Sequence, residues 1–308
     1  LSLENPNALT LDRAQVRLHG GQLSQPMDIL DAQGVVAAAG VGALFSLCFT
    51  FDSLVPPPAP VFLALEAPER FEIWVNGQSI PVPPIQEQDW WVDISFRKVD
   101  ISAAVHAGRN EIVLSGRFGF DTELESIYLI GAFGVEGHRL REENRYNGQV
   151  FDRYASQFWL VELPRSVSAA PAGSGLAFDL TANGLPFYAG RVVLRQVVSL
   201  PLVEGKALLE IDGPRAAVAH VRVNGRRAGS TAWPPYQVDV TGLLQPGENQ
   251  IEIELVGALR NLLGPHHLIG GDGEMIGPGE FRDKSRWTDD YILVPFGFQG
   301  VSLIILKD

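Results

Sequence analysis

The residues best able to do chemistry gather in one stretch, GPHHLIGGDGEMIGPGEFRDKSRWTDDY (264–291). There His266, His267, Asp272, Glu274, Glu280, Asp283, Asp289 and Asp290 stand with Trp287 in a single long insertion. Long ordered loops in compact domains are usually functional. Asp272, Asp289 and Asp290 are the candidate calcium ligands, because a hard cation takes clustered oxygens, although no EF-hand spacing is present. The adjacent His266 and His267 do not both reach one zinc ion, and spacing identifies no third ligand. The competing reading is a loop packed by its own residues. A hydrolase would need an acid and a nucleophile roughly 5–10 Å apart, for which Glu123 with Glu125 or Glu274 with Glu280 are the available pairs. Closeness in sequence does not supply that geometry. No G-x-S-x-G, P-loop or strand-to-helix G-x-G-x-x-G element occurs, so the chain shows no catalytic machinery of its own.

Aromatic residues offer a second kind of chemistry, since a ring face packs on the C–H face of a pyranose. In FEIWV (71–75), strand alternation puts Phe71, Ile73 and Val75 on one face and Glu72 and Trp74 on the other. A related stretch, AHVRV (219–223), has Ala219, Val221 and Val223 on the first face and His220 and Arg222 opposite. The first face is therefore core and the second polar, so Trp74 is either a stacking platform or a packing residue, and Arg222 marks the same place. Trp90 and Trp91 are adjacent, so in extended chain they point opposite ways, one to the core and one to solvent. With Trp74, Arg222, His266, His267 and Trp287 they make up the candidate carbohydrate contacts.

What positions these residues is an internal repeat. Gly42 placed on Gly190 gives an offset of 148 that holds to Asn76 on Asn224. Each copy runs through a strand (ALFSLCFTF; RVVLRQVVSL), a Pro-containing loop, a second strand (VFLALEA; ALLEIDG) and a third that enters Asn-Gly (FEIWVNGQ; AHVRVNGR). The first copy then carries nine extra residues around Trp90–Trp91. The register recovers as VDISAAVHAGRNEIVL against VDVTGLLQPGENQIEIEL, and YLIGAFGVEG (128–137) and LVPFGFQG (293–300) read as related closing strands. Asn-Gly favours a type I′ hairpin because both turn residues take φ > 0. No 3.6-period stretch exceeds about ten residues, so helices are expected to be short and peripheral. LTLDRAQVRL (9–18) is a strand that could join either sheet. The expected organisation is two β-sandwiches, 1–137 and 170–308, with a connection at 138–169 that holds the polar stretch His138–Arg145 and the run SVSAAPAGSG (166–175).

The 308 residues suffice for two domains with real cores. A net charge of −12 argues against nucleic acid or another polyanion and favours a neutral ligand or a protein partner. The single cysteine, Cys48, rules out an internal disulfide and reads as a buried, inert thiol. Val35–Phe51 carries no charge, but its Ala and Gly content and lack of basic flanks make it a buried strand with a preceding turn rather than a membrane span. The chain opens without Met or a signal peptide and reads as part of something longer.

The pattern of a Gly-strand, V-x-V-N-G and V-D-[IV]-[ST]…G-x-N-x-I resembles the accessory β-sandwiches of large bacterial glycoside hydrolases. The types in question are β-galactosidase/β-glucuronidase and α-L-rhamnosidase. NALTLDRAQVRL, GLPFYAG (184–190) and RNLLGPHH (260–267) resemble C-terminal regions of such enzymes. The resemblance implies an all-β chain of two tandem jelly-roll sandwiches of galactose-binding-domain-like type. It also implies a non-catalytic region that binds or orients neutral carbohydrate, or one that buttresses a catalytic barrel. A barrel needs about 250 residues of βα alternation, which this chain does not have beside two sandwiches. The implied partners are neutral carbohydrate and a catalytic domain of the same polypeptide, with no nucleic acid and no membrane. No cofactor is implied beyond the calcium candidates, and an extracytoplasmic setting would suit.

Overall fold

The computed structural model describes residues 1–84, 90–144, 150–167, 176–273, 277 and 279–306, excepting the side chains of 141–144 and 280. It is built almost entirely of β-strands, and no described helix is long and apolar enough to cross a membrane. The chain forms two compact units: one holds residues 6–137 and 157–163, and the other 1–5, 138–156 and 164–308. Leu1–Asn5 thus groups with the second copy, and the stretch expected to be a connection is shared out between the units. Its polar part, 138–144, is strand rather than linker.

In the first copy the chain forms β1 (Asn7–Leu11), β2 (Arg13–Leu18), α1 (Ile29–Ala38), β3 (Leu44–Ser53), β4 (Val61–Glu66), β5 (Glu72–Val75), β6 (Gln78–Ile80), β7 (Trp90–Trp91), β8 (Asp93–Asp100), β9 (Gly108–Arg117) and β10 (Ile127–Gly131). Then come β11 (Phe133–Asn144) and β12 (Val150–Glu162). One sheet has the order β1-β10-β4-β8-β7, and the other runs from β3 through β9 and β5 to β6. The outer edge of β3 is covered by β2, which pairs Gln15–Leu18 with Phe45–Cys48. Further along that edge, Trp159 and Leu160 of β12 pair with Asp52 and Ser53. Leu47, Phe49, Leu63, Ile112 and Leu129 fill the space between the sheets, each at most 2% exposed. Burying such a side chain contributes roughly 1.5–3 kcal/mol.

The uncharged run Val35–Phe51 is not one strand. Its first residues complete α1, whose N-terminus is capped by Asp28 accepting from the Leu30 amide at 2.9 Å and whose Ile29, Ala32 and Val36 are buried. LTLDRAQVRL is likewise divided: β1 joins one sheet and β2 the other, with the buried Asp12 between them.

The second copy repeats the plan with β13 (Arg191–Leu200), β14 (Lys206–Asp212), β15 (Val218–Val223), β16 (Arg226–Thr231), β17 (Gln237–Asp239) and β18 (Gly247–Val256), followed by α2 (Arg260–Leu263), β19 (Tyr291–Leu293) and β20 (Gly300–Leu306). Its sheets are β13-β18-β15-β16, with Ser2–Leu3 on the β13 edge, and β17-β14-β20. The two closing phrases read from sequence are not equivalent. YLIG lies in β10 beside β4, whereas the strand in the matching place beside β14 is Gly300–Leu306, beyond LVPFGFQG.

The motif residues of the repeat interlock in the same way in both copies. Asn76-Gly77 and Asn224-Gly225 have φ of +50°, +78°, +51° and +75°, as a type I′ turn requires. The turn asparagines donate to Asn110 Oδ1 at 2.8 Å and Asn249 Oδ1 at 3.0 Å. Asn110 donates to the His106 and Gly108 carbonyls and accepts from the His106 amide; Asn249 does so with Gln245 and Gly247. Asp100 and Asp239 accept from the Ser102 and Thr241 amides. The Ser102 and Thr241 hydroxyls then accept from the Val61 and Ala207 amides on the neighbouring strands.

Candidate functional site

Trp90 and Trp91 form β7 on the rim of the first copy, where β8 bulges between Asp93 and Arg97. Trp90 is 49% exposed. The half-buried Trp91 ring lies 5.6 Å from that of Tyr128, which is itself 5.1 Å from Phe96; both of these are buried, so Trp91 covers a packed aromatic cluster while Trp90 stays open. The adjacent Val92 holds φ of +64°, a genuine outlier for a β-branched residue. Such strain tends to collect at functional sites.

Carboxylates surround these rings. Burial, with Asp93 and Glu123 nearby, raises the Glu66 carboxyl above its ordinary range. The Tyr128 hydroxyl is also raised, by burial first and then by Asp12, Glu125 and Glu66. Glu123 and Glu125 are thus exposed acids at the border of an aromatic face. The exposed Trp90 ring can take the C–H face of a polyhydroxylated, uncharged molecule, whose hydroxyls can donate to exposed acids. Residues 85–89, just before Trp90, lie outside the described residues.

Sequence reasoning passed over Trp233. At 75% exposure it is more open than Trp74 or Trp90, and it sits in the connection between β16 and β17. That is the connection which, in the first copy, carries Trp90 and Trp91 between β6 and β8. The copies differ in length there, and the lost register hid the match. The neighbouring Pro234 and Pro235, which punctuate loops, were the available signal.

Trp74 lies on the outer face of β5, 40% exposed, with Ser79 and Val113 as cross-strand partners and Cys48 beyond Val113. The alternation read from sequence holds at Ile73, Val75, Ala219, Val221 and Val223, which are buried, while Phe71, assigned to the same face, is half-buried. In the second copy the corresponding row is Arg222, Glu252 and Arg195, with Arg195 donating to Glu252 at 3.1 Å. Cys48 is buried as expected, though on this outer face rather than between the sheets. Its thiol donates to Glu111 at 3.3 Å, and burial and that carboxylate push its pKa up to about 12.

The described residues of the 264–291 insertion pack on one another. His266 and His267 are buried, and their rings lie 5.5 and 4.8 Å from that of Tyr291. His266 Nε2 bonds with the Asn261 carbonyl and His267 Nδ1 with the Asp290 carbonyl. Trp287 packs on His267 at 4.6 Å, under the Lys284 ammonium. Neither histidine is presented to a ligand.

The calcium candidates are not brought together. Asp272 is held by a two-pronged bond from Arg260 at 2.7–2.9 Å, and Asp290 by Arg153 Nε at 2.7 Å. Asp289 accepts from the Trp287 indole at 3.2 Å. Guanidinium groups thus stand where a cation would bind two of the three. Among the described residues no group of three His, Cys, Asp or Glu is placed to hold a metal. Glu274 lies outside the described residues, and Glu280 falls in a short 3₁₀ turn.

A further polar cluster was not legible in the sequence. Arg139 donates to the fully buried Asp152 and lies 3.9 Å from the buried Asp179, with the buried Tyr154 alongside. Asp179 Oδ1 also accepts from the Ala182 amide, which ties the ion cluster to the backbone of a turn. Its three charged members stand 13 and 27 residues apart, two of them on the successive strands β11 and β12, in a spacing that matches no motif.

No family model matches the chain. Over 93 residues it is 30% identical to a "Putative beta-glucuronidase" of Formosa agariphila, a match that covers 29% of this chain and 8% of that protein. Among solved structures it is similar to a rhamnosidase from Novosphingobium sp. PP1Y (17% identity, TM-score 0.29), covering 86% of this chain and 23% of that one. It is also similar to a beta-glucuronidase of Faecalibacterium prausnitzii (16%, TM-score 0.26; 56% and 30%). A third is a beta-D-mannosidase from Dictyoglomus thermophilum (11%, TM-score 0.28; 85% and 32%). The proteins to which this chain is similar are glycoside hydrolases, and it spans a minor part of each.

Proposed function

We propose that this chain is an accessory region of a glycoside hydrolase that binds or orients neutral carbohydrate and leaves bond cleavage to another domain. The observation that carries the reading is the tryptophan in the same inter-strand connection of both copies. In the first copy, the exposed Trp90 and half-buried Trp91 stand beside strained Val92. In the second, Trp233 stands open to solvent. Loops on a rigid sandwich commonly carry recognition. The surface acidity of a chain with net charge −12 suits an uncharged ligand better than a polyanion.

The test is calorimetric titration of the chain with a panel of neutral oligosaccharides, following a glycan-array screen. Removing a stacking ring costs about 0.5–1.5 kcal/mol. Trp90→Ala/Trp91→Ala is therefore expected to weaken binding by about tenfold. Folded protein that binds no neutral glycan would refute the reading.

A second reading, a sandwich pair whose role is assembly with a catalytic barrel, draws on one specific observation. The second copy carries a partly uncovered apolar flank, with Val301 and Ile305 40% and 42% exposed.

A further inference from the structure

The two copies differ most sharply along one flank. In the first, β10 is paired on its far side by β1, and β3 by β2, so the continuous segment Asn7–Leu18 crosses from one sheet to the other and closes the sandwich. Leu9 and Leu11 face inward opposite Leu129 and Ile127, and Val16 and Leu18 opposite Leu47 and Phe45. Beneath this cover, inward-facing Phe45, Leu47, Phe49 and Phe51 are at most 3% exposed.

In the second copy, among the described residues, only Ser2 and Leu3 pair with the outer edge of β13, opposite Val193 and Val192. Among the described residues β20 has β14 on one side and no strand on the other. The result is a cleft of about 530 Å³ between β13 and β20, lined by Leu194, Val198, Leu209, Ile253, Val301 and Leu303 among others. The register with β14 turns Val301, Leu303 and Ile305 toward the facing sheet, since they sit opposite Ile211, Leu209 and Ala207, all buried. Val301 and Ile305 are nevertheless 40% and 42% exposed, and the inward-facing Gln196 of β13 is open to solvent. The β20 sequence GVSLIIL contains no charge and no proline, the usual devices that blunt an open edge.

We propose that this flank receives an extended strand of a partner polypeptide. The strand pairs with the free edge of β20 and places an apolar side chain at every second position into the cleft. The occupant's chemistry is set by the first copy: it is a segment patterned like Asn7–Leu18, apolar at alternate positions and uncharged where it enters the core. A strand added to a sheet edge gains main-chain hydrogen bonds for affinity and side-chain pockets for specificity. The proposal concerns the second copy alone and does not rest on the carbohydrate reading.

The probe is a fluorescently labelled synthetic peptide of residues 7–18, NALTLDRAQVRL, titrated into the full chain by anisotropy. A control peptide has Leu9, Leu11, Val16 and Leu18 replaced by serine. Expected is a dissociation constant of about 10–100 μM for the first peptide and no measurable binding of the control. Amides of 300–306 should also gain hydrogen-exchange protection. Ile305→Lys, at a position exposed enough to keep the fold, should weaken binding by about tenfold or more. Val301→Lys should act alike, and an unchanged urea midpoint would show that both variants are folded. The proposal is overturned by no binding at about 1 mM peptide. It is also overturned by binding that ignores both lysines, which would mean that the peptide displaces β1–β2 in the first copy. A concentration-dependent dimer abolished by Ile305→Lys would assign the flank to a second copy of the chain instead.

Discussion

Changing Asn110 to aspartate alters one group and leaves the shape intact, so it measures what the repeated turn lock contributes. Asn110 is fully buried. It accepts from Asn76 Nδ2 at 2.8 Å and the His106 amide at 3.0 Å, and donates to the His106 and Gly108 carbonyls at 2.8 and 3.0 Å. Aspartate keeps both accepted bonds and loses both donated ones, setting a carboxylate oxygen against two carbonyls. Two lost bonds cost about 1 kcal/mol each, and a buried unsatisfied acceptor costs a further 1–3 kcal/mol or so. The expected destabilisation is therefore about 3–5 kcal/mol at neutral pH.

Asn249→Asp removes the same two donated bonds, to Gln245 and Gly247 at 2.7 and 3.1 Å, and should cost the same within about 1 kcal/mol. The assay is urea denaturation followed by tryptophan fluorescence, with peptide-resolved hydrogen exchange to locate the loss in the mutated copy. The introduced carboxyl is easier to fold protonated, so its folded pKa lies above its unfolded one. The penalty should then shrink as pH falls into the carboxylate range. A cost below about 1 kcal/mol in either copy, or a difference between copies above about 2 kcal/mol, would refute the lock as the basis of the repeat.

Two further expectations concern single groups. With its pKa pushed up to about 12, Cys48 should alkylate in the folded chain on the order of a thousandfold more slowly than a free thiol at pH 8, as followed by mass spectrometry; alkylation at the free-thiol rate in folded protein would contradict the burial. Glu66, whose carboxyl is raised by burial and its acidic neighbours, opposes folding once ionised. Glu66→Gln should therefore raise the urea midpoint at pH 7 by an amount worth less than about 1 kcal/mol, because the site is partly solvated. That gain should fade below the ordinary carboxylate range; a gain of equal size at pH 3 and pH 7 would rule out charge as its cause.

The strands and turns were legible because their signals are local. The alternation of FEIWV and AHVRV assigned the buried face at Ile73, Val75, Ala219, Val221 and Val223, with Phe71 at the strand's start only half-buried. Asn-Gly and Gly-x-Asn announced the lock, because only a few residues tolerate φ > 0. What escaped depends on partners distant in sequence. Asp290 reads as a cation ligand until Arg153, 137 residues away, is seen to hold it. The helix α1 was hidden in an Ala- and Val-rich run whose cap, Asp28, lies before the uncharged stretch begins. The closing strand of the second copy was misplaced because similarity in LVPFGFQG stops where pairing with β14 starts. Among the site residues, the tryptophans could be read as surface groups from alternation and loop position, whereas the burial of His266 and His267 comes from the fold around them.

The same lock has a consequence for how such a sandwich can change. Asn76 and Asn224 clip one end of the following connection to Asn110 of β9 and Asn249 of β18. Ser102 and Thr241 clip its other end to β4 and β14. Between these clips the first copy carries nine more residues than the second, with no difference in strand order around it. Chain inserted between two fixed points adds only slowly growing closure entropy. The connection bearing Trp90–Trp91 and Trp233 is therefore a cassette: its contents can be lengthened, shortened or exchanged while the frame stays put. A loop library grafted between β6 and β8, or between β16 and β17, would vary recognition while keeping the strands that frame it.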